Sequence, residues 1–400
     1  MTASRAPRAT PAVMVYVQHL LGIGHLIRAR NIAQALADRG CVVHLVSGGM
    51  PVGGRLPTGV TTVQLPPIRV VDASFTPLRD AAFNPIDDAY REERRTSLLA
   101  AYVAAAPDVV LFETFPFGRR ALRFELVPLL ERIAADRPRP LVLSSIREIL
   151  QLQDRADREH EMLDWANRWF DGILVHGDPR FARFEDTFTL AAALVPAVHY
   201  TGFVLDDHVA EAPADDAARQ EVVVSAGGGA VGVELLATAL AAQRESQLAA
   251  LTWRVLAGPN IPAAGMERLA RAAGPAAVVE RARVDFPALL RRARVSVSQG
   301  GYNTCLDVLT SGARPVLVPF TGRGETEQAA RAARLQDLGL AIVVDDRTLS
   351  PVTLAQAVDA AAARTQWNRW TFDSDGAAQT AEIVIGLAHA GAPANVRTAS

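Results

Sequence analysis

The chain has 400 residues, half of them hydrophobic, with a formal net charge of −2. That length suffices for two α/β domains that each bury a core, and the near-neutral balance leaves no basic footprint for nucleic acid. Two cysteines far apart, Cys41 and Cys305, indicate neither a disulfide framework nor a zinc site and fit a reducing cytoplasm.

Residues 1–11 carry Arg and Pro but no apolar run, and read as a disordered tail rather than a signal peptide. Ala12 to Gln18 predicts a buried first strand. Gly22-Ile23-Gly24-His25 then turns into a helix with Leu26, Ile32, Ala33 and Leu36 on its apolar face, and Cys41 to Val46 predicts the second strand. This is a βαβ opening whose loop lies at the carboxyl end of strand one, where open sheets bind ligands. Residues 48–90, rich in Pro and Gly with one short strand near Val60 to Gln64, read as a long, poorly ordered loop.

Strand and helix alternate again from Val109. The expected elements are a strand to Phe112, a helix over Leu122 to Ile133, a strand over Leu141 to Ser145, a helix around Ala156 to Trp169 and a strand over Gly172 to His176. Tyr200-Thr201-Gly202-Phe203 closes a first domain spanning 12–205, and the acidic, alanine-rich stretch 206–219 reads as a linker. A second domain, 220–366, opens with the strand Glu221 to Ser225, the turn Ala226-Gly227-Gly228-Gly229 and the helix Val231 to Ala242. Strands at Trp253 to Leu256, Ala276 to Val279 and Val295 to Val297 continue it. Residues 367–391 end the chain with a helix near Ala378 to Ala390. No window approaches about eighteen uncharged apolar residues, so no membrane span is expected, while peripheral membrane contact stays open.

The most informative stretch runs from Val295 to Arg331. An apolar strand stops at Gln299-Gly300-Gly301, and a helix follows through Cys305, Leu306, Val308 and Leu309 to Gly312. A strand, a glycine turn and a helix N-terminus in succession present backbone N–H groups and the positive end of a helix dipole to an anion. A second strand from Arg314 to Pro319 delivers the polar loop Thr321 to Glu327 beside that turn.

The pattern Gln299-x-Gly301-x-Asn303-Thr304-x-x-Asp307, then Gly312-x-x-Pro315-x-x-x-x-Pro319, then Glu327-Gln328, resembles the donor-binding half of GT-B glycosyltransferases, closest in style to the C-terminal domain of glycosyltransferase family 28. The resemblance implies an α/β fold of two Rossmann-like domains facing each other across a cleft, with the last helix returning to the first domain. It also implies roles: Asp307 holds the ribose hydroxyls, the Gly300 to Thr304 turn and Gly227, Gly228 and Gly229 hold the diphosphate, Glu327 and Gln328 hold the sugar, and the backbone of Arg283 edges the base. Gln299 is neutral where relatives often carry His or Arg.

His25, in a Gly-x-Gly-His turn, is the expected catalytic base, since an imidazole titrates near the working pH. Gly24 and Arg28, on the same turn, are expected at the acceptor site. Glu113, Arg119, Arg147 and Glu148 sit at or just beyond the carboxyl ends of parallel strands and are the expected acceptor-site residues, with a salt-bridged helix start as the competing reading. Trp165, Trp169 and Phe170, at helical spacing, read as core. The expected reaction moves a hexose-type sugar from a nucleoside diphosphate, UDP- or dTDP-linked, to a small-molecule or lipid-linked acceptor without metal or other cofactor. A nucleotide-sugar hydrolase using water activated by His25, or a non-catalytic sugar-nucleotide binder, would use the same pocket.

Overall fold

The structure, a computed structural model, describes residues 10–20, 22–53, 56–70, 77–151, 156–205, 219–226, 232–258, 261–283 and 285–391. They divide into two units: unit 1 runs through Leu205 and takes the chain up again at Phe372, and unit 2 ends at Thr371. Most of the expected tail, the linker through 218 and the turn Gly227-Gly228-Gly229 lie outside the described residues.

Unit 1 comprises β1 (Ala12–Val17), α1 (Gly24–Asp38), β2 (Val42–Ser47), β3 (Val60–Gln64), α2 (Asp88–Ala105), β4 (Val109–Glu113), α3 (Arg123–Ala135), β5 (Leu141–Arg147), α4 (Ala156–Trp169), β6 (Gly172–His176) and β7 (Ala197–Tyr200). Its seven-stranded sheet has the order β3-β2-β1-β4-β5-β6-β7, and every pairing is parallel. The central strands are apolar up to their carboxyl-terminal residues because helices cover both faces. Val13, Val15 and Val17 of β1 pack with Leu26, Ile32 and Leu36 of α1, whereas Met14 and Tyr16 face Phe112, Leu126 and Leu130 on the other side. Trp169 and Phe170 are buried in that second core, and Trp165 stacks on Phe115 at 5.2 Å.

The sequence pattern misses α2 and β7, and it misjudges the stretch 48–90. The described part of that stretch is packed: Leu65, Ile68, Val70, Leu78 and Ile86 are buried, and Arg69 bridges Arg79 in antiparallel fashion. The reason is Arg94 on α2, which is fully buried. It donates to the carboxylate of Glu125 on α3 through two bonds of 2.7 Å, to Gly48 O at 3.0 Å, to Pro66 O and to Gln18 Oε1 at 3.1 Å. Tyr16 OH completes the group with a 2.7 Å bond to Glu125. A buried guanidinium with a full set of acceptors holds a glycine- and proline-rich loop in place where propensity predicts none.

Unit 2 comprises β8 (Glu221–Ser225), α5 (Val233–Glu245), β9 (Thr252–Ala257), α6 (Ala263–Ala272), β10 (Ala277–Arg281), α7 (Phe286–Arg292), β11 (Ala293–Ser298), α8 (Tyr302–Ser311), β12 (Arg314–Leu317), α9 (Glu327–Asp337), β13 (Ile342–Val343) and α10 (Pro351–Ala363). The six-stranded sheet, β10-β9-β8-β11-β12-β13, is also parallel throughout. The last helix, α11 (Gly376–Ala390), belongs to unit 1, where Ala377, Ala381 and Val384 join the core beneath α1. A tight approach anchors it: Phe203 N donates to Asp373 O at 2.7 Å and Gly376 N to Phe203 O at 3.0 Å, and a Cβ on Gly376 would lie 2.5 Å from Gly202 O.

Both sheets reverse strand order at one point, between β1 and β4 in unit 1 and between β8 and β11 in unit 2. Loops leaving the carboxyl ends of such neighbours diverge to opposite faces and open a crevice, so each unit has one topologically favoured ligand site. Arg94→Met should lower the stability of unit 1 by about 3–5 kcal/mol, because Glu125 is left as an uncompensated buried charge. Denaturant unfolding measures this directly, and an unchanged midpoint would show that the Arg94 cluster does not hold the loop.

Candidate active site

At the β1/β4 switch point of unit 1, α1 begins at Gly24 with Ile23 at its N-cap and no side-chain cap bond. His25 sits in the first turn, and its Nδ1 lies 2.8 Å from Glu113 Oε1 at the end of β4 and 3.2 Å from Thr114 Oγ1. Glu113 is 2% exposed and also accepts from Arg28 and, at 2.8 Å, from Ser145 Oγ. Ser145 Oγ in turn lies 2.7 Å from His176 Nε2, and His176 Nδ1 lies 2.8 Å from Thr201 Oγ1. Register explains the assembly: Glu113 pairs with Ser145 across β4 and β5, and Ser145 with Leu174 across β5 and β6, two residues before His176 and so on the same face of the strand.

The charge states follow from these contacts. Burial alone would push the Glu113 carboxyl up, but the Arg28 guanidinium and the His25 hydrogen bond hold it well below the usual carboxylate range. Burial lowers His25 well below its ordinary value, the Arg147 and Arg119 charges lower it further, and Glu113 opposes them. An ionised Glu113 therefore accepts Nδ1–H from a neutral imidazole, which leaves the lone pair on Nε2. His25 Nε2 has no hydrogen-bond partner among the described residues, and the side chain is 16% exposed. His176 is buried and pushed down to about 3, and His19, buried with Nε2 3.0 Å from Met50 O, to about 4.

The expected acceptor-site residues do not share one environment. Glu113 and Arg28 are buried and engaged with each other behind His25, so the structure makes them supports of the imidazole rather than an open surface. Glu148 is fully buried, and a Cβ on Gly177 would lie 2.4 Å from its Cβ. Arg119 and Arg147 are half-buried and reach the same edge of the sheet as His25. Ser145 and His176 escaped the sequence reading because a lone Ser and a lone His in buried strands carry no local signal.

At the β8/β11 switch point of unit 2, Ser298 leads into Gln299, Gly300 and Gly301, and α8 starts at Tyr302 with Gly301 as N-cap and no side-chain cap bond. Open space surrounds the Cβ direction of Gly301, whereas a Cβ on Gly300 would lie 2.8 Å from Gln328 O. Gly300 thus lets α9 close against the turn. Arg331, 2% exposed, locks this approach by donating to Gly300 O at 2.8 Å and to Glu327 Oε1 at 2.9 Å, over the Tyr302 ring. Gln328 Oε1 accepts from Phe320 N at 3.2 Å. Asn303 and Asp307, four residues apart, share one face of α8 with Thr304, and all three are half-buried.

Gln299 is buried and Glu327 half-buried, and Arg283 points its guanidinium at Asp285 in a two-bond pair of 2.8 Å each. Sequence reasoning missed Arg331 and Glu325. Glu325 Oε1 accepts from Glu327 N at 2.9 Å, and burial together with the neighbouring Glu327 pushes its carboxyl up. Among the described residues no group of His, Cys, Asp and Glu is arranged to hold a metal ion.

Residues 222–369 match the glycosyltransferase family 28 C-terminal domain. That part of the chain is similar to the family 28 donor-binding domain, and the chain as a whole has the GT-B fold. Within it, a stretch of 69 residues is 33% identical to the UDP-N-acetylglucosamine--N-acetylmuramyl-(pentapeptide) pyrophosphoryl-undecaprenol N-acetylglucosamine transferase of Thermotoga neapolitana, covering 17% of this chain and 20% of that one. The calicheamicin glycosyltransferase CalG4 shares the fold with a TM-score of 0.55 at 16% identity, over 94% of this chain and 93% of its own. MurG of Acinetobacter baumannii does so at 0.53 and 15%, over 94% and 99%. A UDP-glucosyltransferase from Polygonum tinctorium capable of glucosylating indoxyl gives 0.56 and 16%, over the same shares. At these identities the structural likeness concerns the fold, and the family 28 match resides in unit 2.

The histidines make unit 1 acid-sensitive. His19, His25 and His176 are held neutral in the fold below their ordinary value of 6.5, so the unfolded chain binds protons first as pH falls. Their contribution is complete above pH 6.5 and is lost on acidification at about 1.4 kcal/mol per pH unit for each ring. Urea unfolding of unit 1 should show a much lower midpoint at pH 5 than at pH 7, and equal midpoints would contradict the neutral assignment.

Proposed function

We propose that this protein transfers a hexose-type sugar from a nucleoside diphosphate, UDP- or dTDP-linked, to a hydroxyl or amine of a small or lipid-linked acceptor. The observation that carries the reading is the His25–Glu113 pair, in which a buried, ionised carboxylate holds Nδ1 and leaves Nε2 as the proton-accepting atom. His25 Nε2 takes the acceptor proton while the acceptor oxygen or nitrogen bonds to the anomeric carbon. The bond from that carbon to the diphosphate oxygen breaks, and the nucleoside diphosphate leaves with the electron pair. Glu113 stabilises the imidazolium that forms, as a buried carboxylate behind a catalytic histidine does in general.

Unit 2 supplies the donor grip in this reading. The uncapped first turn of α8 offers N–H groups to the diphosphate, with the turn at 227–229 as a second source, and Asp307 accepts from the ribose hydroxyls. Gln328 keeps its amide nitrogen for a sugar hydroxyl, since its Oε1 is bound to Phe320 N. Glu327 stands beside it on α9, with Oε1 held by Arg331. Helix-terminal amides compensate the leaving diphosphate where other transferases place a divalent cation. Sugar transfer should accordingly persist in excess chelator, and an absolute need for magnesium or manganese would refute this account of the leaving group.

The two halves of the proposal separate by mutation. His25→Ala should lose roughly 10²–10⁴ in turnover while keeping its affinity for UDP or dTDP. Asp307→Ala should instead weaken nucleotide binding, by about 1.5–3 kcal/mol for each charge-assisted bond lost. Calorimetry with the free nucleotides, beside a transfer assay on a panel of nucleotide sugars and acceptors, reads both. Near-normal turnover of His25→Ala would remove it as the base, and release of free sugar with no acceptor consumed would assign a hydrolase.

A further inference from the structure

Trp165 and Trp169, four residues apart on α4, share one face of the helix. Their spacing reads as core, and for Trp169 it is; Trp165 is only half-buried and rests on Phe115, with ring centroids 5.2 Å apart. The two indole centroids lie 6.3 Å apart at an interplanar angle of 39°. Phe124, Val127 and Pro128, on one face of α3 and half-buried as well, form the other wall of an open cavity of about 470 Å³. Small-molecule sites have volumes of roughly 300–1,000 Å³ and are lined, as here, by flat apolar groups with a few polar ones.

Charge at the rim narrows the choice of ligand. The neighbouring arginines on these two helices have carboxylates of their own: Arg120 pairs with Glu161, and Arg132 with Asp136 at 3.0 Å. Arg123 and Arg168, which line the cavity, have no hydrogen-bonded or ion-paired side-chain partner among the described residues. Arg168 only lies over the Trp169 ring, 5.0 Å from its centroid. Glu131 is the one carboxylate among the lining residues, so two exposed cations face one anion. A guanidinium laid on an indole keeps its fork of donors in the plane of the ring it covers, ready for the two oxygens of a carboxylate.

We propose that the groove between α3 and α4 is a second small-molecule site, which takes a planar aromatic ring bearing a carboxylate. The ring lies between the two indoles and the wall of Val127 and Pro128, and Arg123 and Arg168 hold the carboxylate at the rim. Burial of the ring supplies most of the affinity, since aromatic pairs add to the area they cover, while ion pairs at an exposed rim add less. The pair of requirements sets the selectivity: a neutral ring leaves both guanidiniums without an anion, and an aliphatic acid leaves the indoles without a stacking partner. No residue lining the groove belongs to the Glu113 cluster, so the site stands or falls apart from the reading of His25 as the base.

The test uses full-length protein with isotope-labelled tryptophan, whose five indole N–H signals are followed by NMR. Trp165→Phe and Trp169→Phe assign the two signals of the groove. Naphthoate should move those two saturably and leave Trp253, Trp367 and Trp370 in place, with a Kd of roughly 1 mM or tighter for a ligand of that size. Arg123→Gln and Arg168→Gln, at exposed positions where folding is not at stake, should each weaken binding by about threefold to tenfold, and naphthamide should bind the unaltered protein more weakly by a similar factor. Cyclohexanecarboxylate should produce no saturable change, and His25→Ala should bind naphthoate as before. The proposal is overturned by Trp165 and Trp169 signals that stay still, by equal affinity for naphthoate and naphthamide, or by loss of binding in His25→Ala, which would move the acid to the carboxyl edge of the sheet. It is equally overturned if the two signals broaden with protein concentration alone, giving the groove to a second copy of the chain, or respond to anionic lipid vesicles and not to naphthoate, giving it to a membrane surface.

Discussion

A carboxylate buried at the end of a central strand is tolerable only if its oxygens are fully occupied by donors, and Glu113 meets that condition with Arg28, His25 and Ser145. Much of unit 1 can be read as the means of meeting it. β4 must lie beside β1 for α1 to bring Arg28 and His25 to it, and beside β5 for Ser145 to reach its other oxygen. Ser145 must in turn be bonded, which places His176 behind it and Thr201 behind that. Orientation of the imidazole is then a consequence of satisfying a buried charge, since the nitrogen that meets Glu113 cannot also face outward.

Unit 2 solves a different problem, the exposure of backbone donors. The α8 turn needs Gly300 because α9 comes within a Cβ's distance of it, while at Gly301 a Cβ would meet nothing in the chain and glycine simply leaves the space before the helix open. Arg331 ties these together, spanning the carbonyl of one glycine and the carboxylate of Glu327. A charged side chain buried to 2% in this way fixes the helix that carries Glu327 and Gln328 relative to the helix that carries Asp307. The proposed donor-binding residues on α8 and α9 are therefore held together by Arg331, which the sequence pattern does not single out.

The strands were the legible part of the sequence, because parallel strands buried on both faces appear as short apolar runs bounded by turns. Glu221–Ser225 and Gly172–His176 coincide with their apolar runs, and α4 with its amphipathic period. Helices such as α2, with charged residues through its first half and Asp87 as its cap, escaped notice because their stability comes from Arg94 and the core contacts of Leu98 and Tyr102. The stretch 48–90 reads as a loop by composition and is packed by partners 46 and 50 residues away in sequence, so no window over it could show its order.

What the sequence determined by itself was the chemistry available at each strand end: a His after Gly-x-Gly, a glycine turn opening a helix, a carboxylate one turn in, an acid and an amide at the start of the next helix. Those signals are local, since each depends on residue type and spacing along one element. Which of the charged residues act and which merely support was decided by tertiary structure. Glu113 and Arg147 end neighbouring strands and look alike in sequence, but register and burial set the first behind His25 as its partner and leave the second at the edge. The physical reason is desolvation, which makes a charge's role depend on the donors and acceptors around it, and those are brought together only by strands that pair across long stretches of chain.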